Sequence, residues 1–381
     1  MDHARKIPLL ALATFAAGTQ SFAFAGLLAE MAADLDVTVA QAGQLATVFA
    51  LVSGLSAPPV AILFRRVARK RLVVGALTLM AVVNLLLAVA PSLGVMLGLR
   101  AVAGLGAASL PATSALAAAM APPERRGRAL AMVVMGVTAA FLLGIPLGSA
   151  AGGAFGWRAC FVFAAAMLAL AAIVIALFVP NVPAGDAAGA PVLGLLLRPG
   201  VARGLLTTFL GFTAVFCFAA YTGPAVNHVS KLSGAGVGLM QMVVGLGSIL
   251  GAPAGGRIAD RGQGRGALIM LFATVAVGQA LQAVLLAAPP DGLAAPLAQG
   301  LLILLVSASL FAVSPIVQSR LIALAPEARS TVLAFNAATF FLGQAAGAGL
   351  GGAAIAALGL PGMGIAGAVA AMLGLLVVLR R

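Results

Sequence analysis

Charge is what this chain has least of. Lys, Arg, Asp and Glu together make up 8% of its 381 residues, only nine of them acids, and there are two Cys, two His, one Trp and one Tyr. Each shortage removes a class of function. Cys160 and Cys217 both lie in apolar runs, so neither a disulfide framework nor a cysteine metal site is on offer. His3 and His228 are the only histidines, which excludes a metalloenzyme, and no apolar run gathers the His, acid and nucleophile that catalysis needs. The acids, Asp2, Glu30, Asp34, Asp36, Glu124, Asp186, Asp260, Asp291 and Glu327, all fall at the ends of apolar runs or between them. None is placed at the middle of one.

Apolar residues fill the space that charge leaves: 62% of the chain is hydrophobic and the mean hydropathy is +1.15, outside the range of soluble domains. The expected fold is an all-α membrane protein. A spanning helix needs about 20 apolar residues, so twelve take up roughly 240 and leave about ten for each connection. Runs bounded by charge or by Pro/Gly turns predict spans over 7–29, 42–63, 72–90, 94–120, 129–154 and 160–179, then over 204–226, 236–256, 267–287, 294–324, 331–357 and 363–379. Between the two sets lies a segment with Pro180, Pro183, Pro191 and Pro199. The expected organisation is therefore a six-helix bundle over 1–179, a cytoplasmic linker over 180–203 and a second bundle over 204–381. Ala23-Phe24-Ala25 has the look of a leader cleavage site, but apolar character runs on to Leu28, too long for a leader core, so the stretch reads as a span.

The net charge of +13 would suit a nucleic-acid partner if the cations shared a wettable surface; here they punctuate apolar runs. With both chain ends on the cytoplasmic side of a bacterial-type inner membrane, 19 of the 22 cations fall inside, Arg158 and Lys231 fall outside, and Arg100 is left within a span.

The two sets repeat. Pro123-Glu124-Arg125-Arg126 follows the fourth span and Pro326-Glu327-Ala328-Arg329 the tenth, while AILFRRVARK at 61–70 echoes GRIADRGQGR at 256–265. Parallel repeats of this kind build transporters whose site lies between the halves. On these residues the chain resembles the major facilitator superfamily. GRIADR at Gly256–Arg261 is similar to its loop signature, Arg100 with Gly104 and Gly106 to its fourth-helix signature, and Gly144-Ile-Pro146-Leu-Gly148 with Gly152-Gly153 to the fifth-helix signature of its antiporters. Within it the chain resembles the bacterial arabinose-efflux-permease-like drug/proton antiporters, through Gly26 to Glu30, Asp34, the basic cluster Arg65–Arg71, Pro122–Ala129 and Gly343–Gly352.

Arg100 is the one cation inside a span, where a charge needs a wet cavity or a partner unless it snorkels outward; the resemblance implies a role in coupling or substrate contact. Glu30 and Asp34 share a helical face at i, i+4 spacing, and Glu30 is expected to reach Arg100. His228 is a titratable candidate near neutral pH. Gln20, Ser21 and Asn336 lead the intramembrane polar groups, because the first and eleventh spans resemble cavity-lining ones. These seven form the expected substrate and proton pathway. For the cytoplasmic gate the candidates are Arg65, Asp260, Arg261, Glu124, Arg126, Glu327 and Arg329, with Arg65 expected to pair with Glu327, and Asp260 with Arg126 or Arg128. Gly104, Gly144, Pro146 and Gly148 are the expected packing and hinge positions. The resemblance implies a monomeric secondary transporter exporting a small neutral or amphipathic compound (drug, sugar or nucleoside) in exchange for protons, without a cofactor. A proton-independent facilitator or an uptake carrier is the alternative.

Overall fold

The computed structural model describes residues 3–64, 67–122, 125–182, 194–195 and 198–380. Fourteen helices carry the fold among them: α1 (Lys6–Asp34), α2 (Val39–Leu63), α3 (Arg69–Ala88), α4 (Leu93–Leu105), α5 (Ser109–Met120), α6 (Arg126–Phe155), α7 (Ala159–Phe178), α8 (Pro199–Ala219), α9 (Thr222–Ser230), α10 (Ala235–Asp260), α11 (Gly264–Ala287), α12 (Ala294–Leu324), α13 (Arg329–Leu358) and α14 (Pro361–Leu379). Eleven are long and apolar enough to cross a membrane.

The fourth expected span, 94–120, is split into α4 and α5 by a 3-10 turn at Gly106–Ala108. The seventh starts earlier than expected, at Pro199, inside the stretch read as linker. Proline there is a start signal and not a breaker, because the first N–H of a helix has no intrahelical partner to lose.

Lipid explains why these helices carry so little amphipathic signal. Leu79, Val82, Leu85 and Leu86 of α3 and Val369, Met372, Leu373 and Leu376 of α14 are exposed, as a face turned to acyl chains requires. Their opposite faces are apolar too. Packing is governed instead by small residues that let backbones approach. A side-chain carbon at Gly247, Gly251 or Gly255 of α10 would run into Ser307, Ala308 or Ala312 of α12, and one at Gly343, Gly347 or Gly351 of α13 would meet the α8 carbonyls of Phe209, Thr213 and Cys217.

The first six spans meet the last six at the end that carries the cation-poor loops. There Gly153 of α6 faces Gly234, Pro146 O faces Gly238 and Leu142 faces Gly245, while Gly349 and Gly352 of α13 lie against Thr47 and Gln44 of α2. At the cation-rich end the bonds among the described residues stay within one set: Arg69 Nη1 donates to Ala115 O at 3.2 Å, Arg265 Nη2 to Leu379 O at 2.7 Å, and Arg198 Nη1 lies 2.6 Å from Glu327 Oε1. Single cysteines replacing Arg69 or Arg261, in a background lacking Cys160 and Cys217, should label from the cytoplasmic side with an impermeant reagent, and one replacing Lys231 from the opposite side. External labelling at position 69 would overturn this orientation.

Candidate functional site

Two constellations stand out, one polar and buried within the first six spans, one apolar and shared by both sets. The polar one is built around Arg100, which is completely buried. Its Nε donates to Leu45 O at 3.2 Å, Nη1 to Gln20 O and Gln20 Oε1 at 3.2 Å each, and Nη2 to Ser21 O at 2.9 Å. The guanidinium also lies over the rings of Phe24 and Phe49, 4.8 and 4.5 Å from their centroids. No carboxylate takes part. Carbonyl dipoles and two aromatic faces replace the acid a buried cation ordinarily seeks.

Two of these carbonyls, Gln20 O and Ser21 O, come from the end of a helical turn, because α1 changes to 3-10 winding at Ala23–Leu27. Glu30 lies ten residues beyond Gln20, at least about 15 Å further along α1 at 1.5 Å per residue. This corrects the expected Glu30–Arg100 contact: Glu30 is exposed, while Arg100 is held at the level of Gln20 and Ser21. Asp34 is exposed as well, and its Oδ2 accepts from Arg158 Nη1 at 2.5 Å and Trp157 Nε1 at 3.2 Å. Gly156, at φ +89, ends α6 in a conformation that glycine adopts without strain and delivers both partners to Asp34.

Gln20, Ser21 and Arg100 are thus brought together, but as a closed cluster and not as pathway lining. Gln20 Oε1 also accepts from Asn84 Nδ2 at 3.4 Å, and Ser21 Oγ donates back to Ala17 O at 2.8 Å. Asn336 is buried between α13 and α8, its Oδ1 accepting from Thr208 Oγ1 at 2.7 Å. His228 Nε2 lies 3.1 Å from Leu286 O; a carbonyl only accepts, so that nitrogen carries the proton. These two also tie helices together away from the shared cavity.

Of the gate residues, Arg65 and Glu124 lie outside the described residues. Glu327 pairs with Arg198, and its carboxyl is held below the usual carboxylate range by its own backbone N–H and then by Arg198. Asp260, Arg261, Arg126 and Arg329 are all exposed, and Asp260 stands beyond ion-pair reach of Arg126 and Arg128. Helices α6 and α10 meet at Leu142–Gly153, far from the helix ends that carry those charges. Gly104, Gly144 and Gly148 pack α4 on α2 and α6 on α1, against Phe49 O, Thr19 and Ala23 respectively. Pro146 follows a π-helical turn at Ala140–Gly144 in which Ile145 N–H reaches back to Ala140 O, an adjustment that accommodates the proline ring.

The apolar constellation was not anticipated. A cavity of about 110 Å³ lies beneath the closed cation-poor end, ringed by Phe22, Phe141, Phe212, Phe216, Phe311 and Phe340 from α1, α6, α8, α12 and α13. Phe22 sits 6.4 Å from Phe141 and 5.3 Å from Phe216, and Phe141 meets Phe311 edge-on at 5.6 Å, so rings from both sets form one surface. Thr222, Gln241 and Ser307 are its polar points. A side pocket of about 30 Å³, sharing Thr222 and Ser307 with it, leads to Gln279 and Gln282 of α11. Both glutamines are buried to 1% exposure, and neither Oε1 has a hydrogen-bond partner among the described residues. Above the rings, Ser149 Oγ lies 2.7 Å from Gln241 Oε1 and 3.0 Å from Ala23 O, the first contact crossing between the two sets.

Comparison with known proteins places this architecture. The profile of the Major Facilitator Superfamily matches residues 10–310. The MFS-type transporter YbcL of Bacillus subtilis is 33% identical over 267 residues, covering 68% of this chain and 67% of that protein. A chloramphenicol resistance protein of Streptomyces lividans is 36% identical over 262 residues, 66% of each chain. The inner membrane transport protein YdhP of Escherichia coli K12 is 32% identical, covering 69% and 70%. Among solved structures, a bacterial homologue of the human lysosomal transporter Spinster, in an inward-facing and occupied conformation, superposes with a TM-score of 0.78 at 17% identity, over 99% of this chain and 96% of that one.

Proposed function

The chain belongs to the Major Facilitator Superfamily, and from that premise we propose that it exports a small, uncharged, amphipathic aromatic compound by alternating access, in the manner of the drug/proton antiporters it resembles. The observation that carries this reading is the phenylalanine-lined cavity, formed by helices of both sets and roofed by their contact at the cation-poor end. Six rings offer an aromatic guest stacked and edge-on contacts but no counter-ion, which disfavours a multiply charged substrate. The unpartnered Gln279 and Gln282 oxygens give the same guest a place for one hydroxyl or amide donor, in a pocket that holds about one water. The relative named for chloramphenicol resistance supports export of such compounds and makes chloramphenicol a suitable probe.

In proteoliposomes with an imposed pH gradient, chloramphenicol should move uphill. Phe141→Ala should raise its KM by about 5- to 30-fold, the worth of one aromatic contact at 1–2 kcal/mol. Gln282→Leu should weaken only those compounds that carry a donor group. Uniform flux across aromatic and aliphatic solutes in both variants would sink the assignment.

A proton-independent facilitator is the second reading, favoured because no lining residue of either pocket is titratable. Glu30, Asp34 and His228 are the proton carriers left to test, and Glu30→Gln should abolish uphill transport while preserving downhill flux if Glu30 is the carrier. Wild-type flux that ignores the gradient selects the facilitator.

A further inference from the structure

Gln241 of α10 stands where the shared cavity meets its roof. On one side it lines the phenylalanine-ringed space, and on the other its Oε1 lies 2.7 Å from Ser149 Oγ of α6. Ser149 Oγ is also 3.0 Å from Ala23 O. A hydroxyl has one proton, so Ser149 can serve the amide oxygen or the carbonyl but not both. Gln241 Nε2 is left on the cavity side, without a hydrogen-bond partner among the described residues.

An amide turned end for end keeps its shape and exchanges its donors with its acceptor. The χ3 torsion that turns it has broad, roughly two-fold wells. With the Gln241 amide turned, Nε2 donates to Ser149 Oγ, Ser149 gives its proton to Ala23 O, and Oε1 faces the cavity. Both orientations therefore find an acceptor for the buried hydroxyl. What differs is the edge offered to a guest: two N–H donors in one, a carbonyl oxygen in the other. The cavity's other polar points cannot make this exchange. Thr222 Oγ1 donates to Ala219 O at 2.9 Å and Ser307 Oγ to Ile303 O at 2.7 Å, so their protons are spent and they offer a guest lone pairs alone.

We propose that Gln241 sets the polar specificity of the shared cavity, its amide turning to meet either an acceptor or a donor on the aromatic guest, with Ser149 as the positioning residue that accepts both orientations. This rests on the cavity being the substrate site. Aryl ketones and nitroarenes would then share one cavity with phenols and anilines. To test it, the full chain in detergent is titrated with 4-fluoroacetophenone, which only accepts, 4-fluorophenol, which donates, and 1-ethyl-4-fluorobenzene, which does neither. Dissociation constants are read by fluorine NMR against detergent alone. Gln241→Met, of similar length but without the amide, should weaken the ketone and the phenol by about 2- to 12-fold each, the worth of one hydrogen bond, and leave the ethyl compound unchanged. Ser149→Ala keeps the glutamine but removes its anchor, and should weaken both polar probes in part. If the ethyl compound does not bind the parent protein, the cavity reading falls and this proposal with it. If it binds, and Gln241→Met weakens only one of the polar probes or neither, the amide is fixed or out of reach and the proposal alone is overturned. Should Gln241→Met lose the ethyl compound as well, Ser149→Ala carries the same comparison, and a response there confined to one polar probe or absent from both overturns the proposal.

Discussion

Arg100→Lys should abolish transport and lower the unfolding midpoint further than Arg100→Met, although lysine keeps the charge. The arginine makes four hydrogen bonds and two ring contacts in a fully buried place without an acid. Lysine would keep the whole desolvation penalty while its three donors, on one small head, cannot reach carbonyls on both α1 and α2. Methionine leaves carbonyls unpaired, at about 1–3 kcal/mol each, but it releases the buried charge and fills similar volume. Both should lose at least about a hundredfold in transport, because the turn at Ala23–Leu27, which leads into the cavity at Phe22 and Ala25, loses its brace. Thiol-reactive dye provides the unfolding measurement, since Cys160 and Cys217 are buried until the bundle opens. A lysine variant at least as stable as the methionine one would show that the charge, and not the fork of donors, is what the site requires.

The second large effect is expected at Gly245. A side-chain carbon there would come within 2.6 Å of Leu142 Cα and 2.7 Å of Leu142 N, backbone atoms that cannot swing aside. Gly245→Val should therefore hold the cation-poor end open. Overpacking costs of about 1–3 kcal/mol shift a two-state balance by roughly 5- to 150-fold, enough to stop turnover in a folded protein. A cysteine replacing Gly349, where an added carbon meets only Thr47 at 3.6 Å, should then label faster than in the parent in a cysteine-free background. Gly104→Ala crowds Phe49 O at 2.9 Å, inside one set. It should lower the unfolding midpoint and leave that labelling unchanged, so slow labelling in Gly245→Val would remove this contact from the gating cycle.

Cation placement and run length made the membrane fold legible, because both follow from the cost of moving charge into hydrocarbon. The Arg100–Gln20–Ser21 cluster was legible for the same reason: polar groups in a span must find one another. Phe22, Phe141 and Phe216 were not. In a soluble protein a lining phenylalanine breaks the polar face of its helix, but here lipid and cavity faces are both apolar, and periodicity separates neither from the other. The turn at Ala23–Leu27 was invisible too, since no proline marks it and Gly26 sits within an otherwise regular apolar run. Glu30 stands apart from Arg100 because ten residues of α1 separate it from Gln20, which Arg100 binds.

Ser149 has a single proton and two oxygen acceptors in range, Gln241 Oε1 across the interface and Ala23 O within its own set. When the sets part, the hydroxyl rotates from one acceptor to the other, and the only group that must find a new partner is Gln241, at the cavity wall where a guest or water is at hand. Rupture of the crossing bond therefore adds little to the activation barrier, because the desolvated hydroxyl is never left bare on the way. A carrier that must open and shut repeatedly is served by a fastening whose hydroxyl keeps an acceptor in either position.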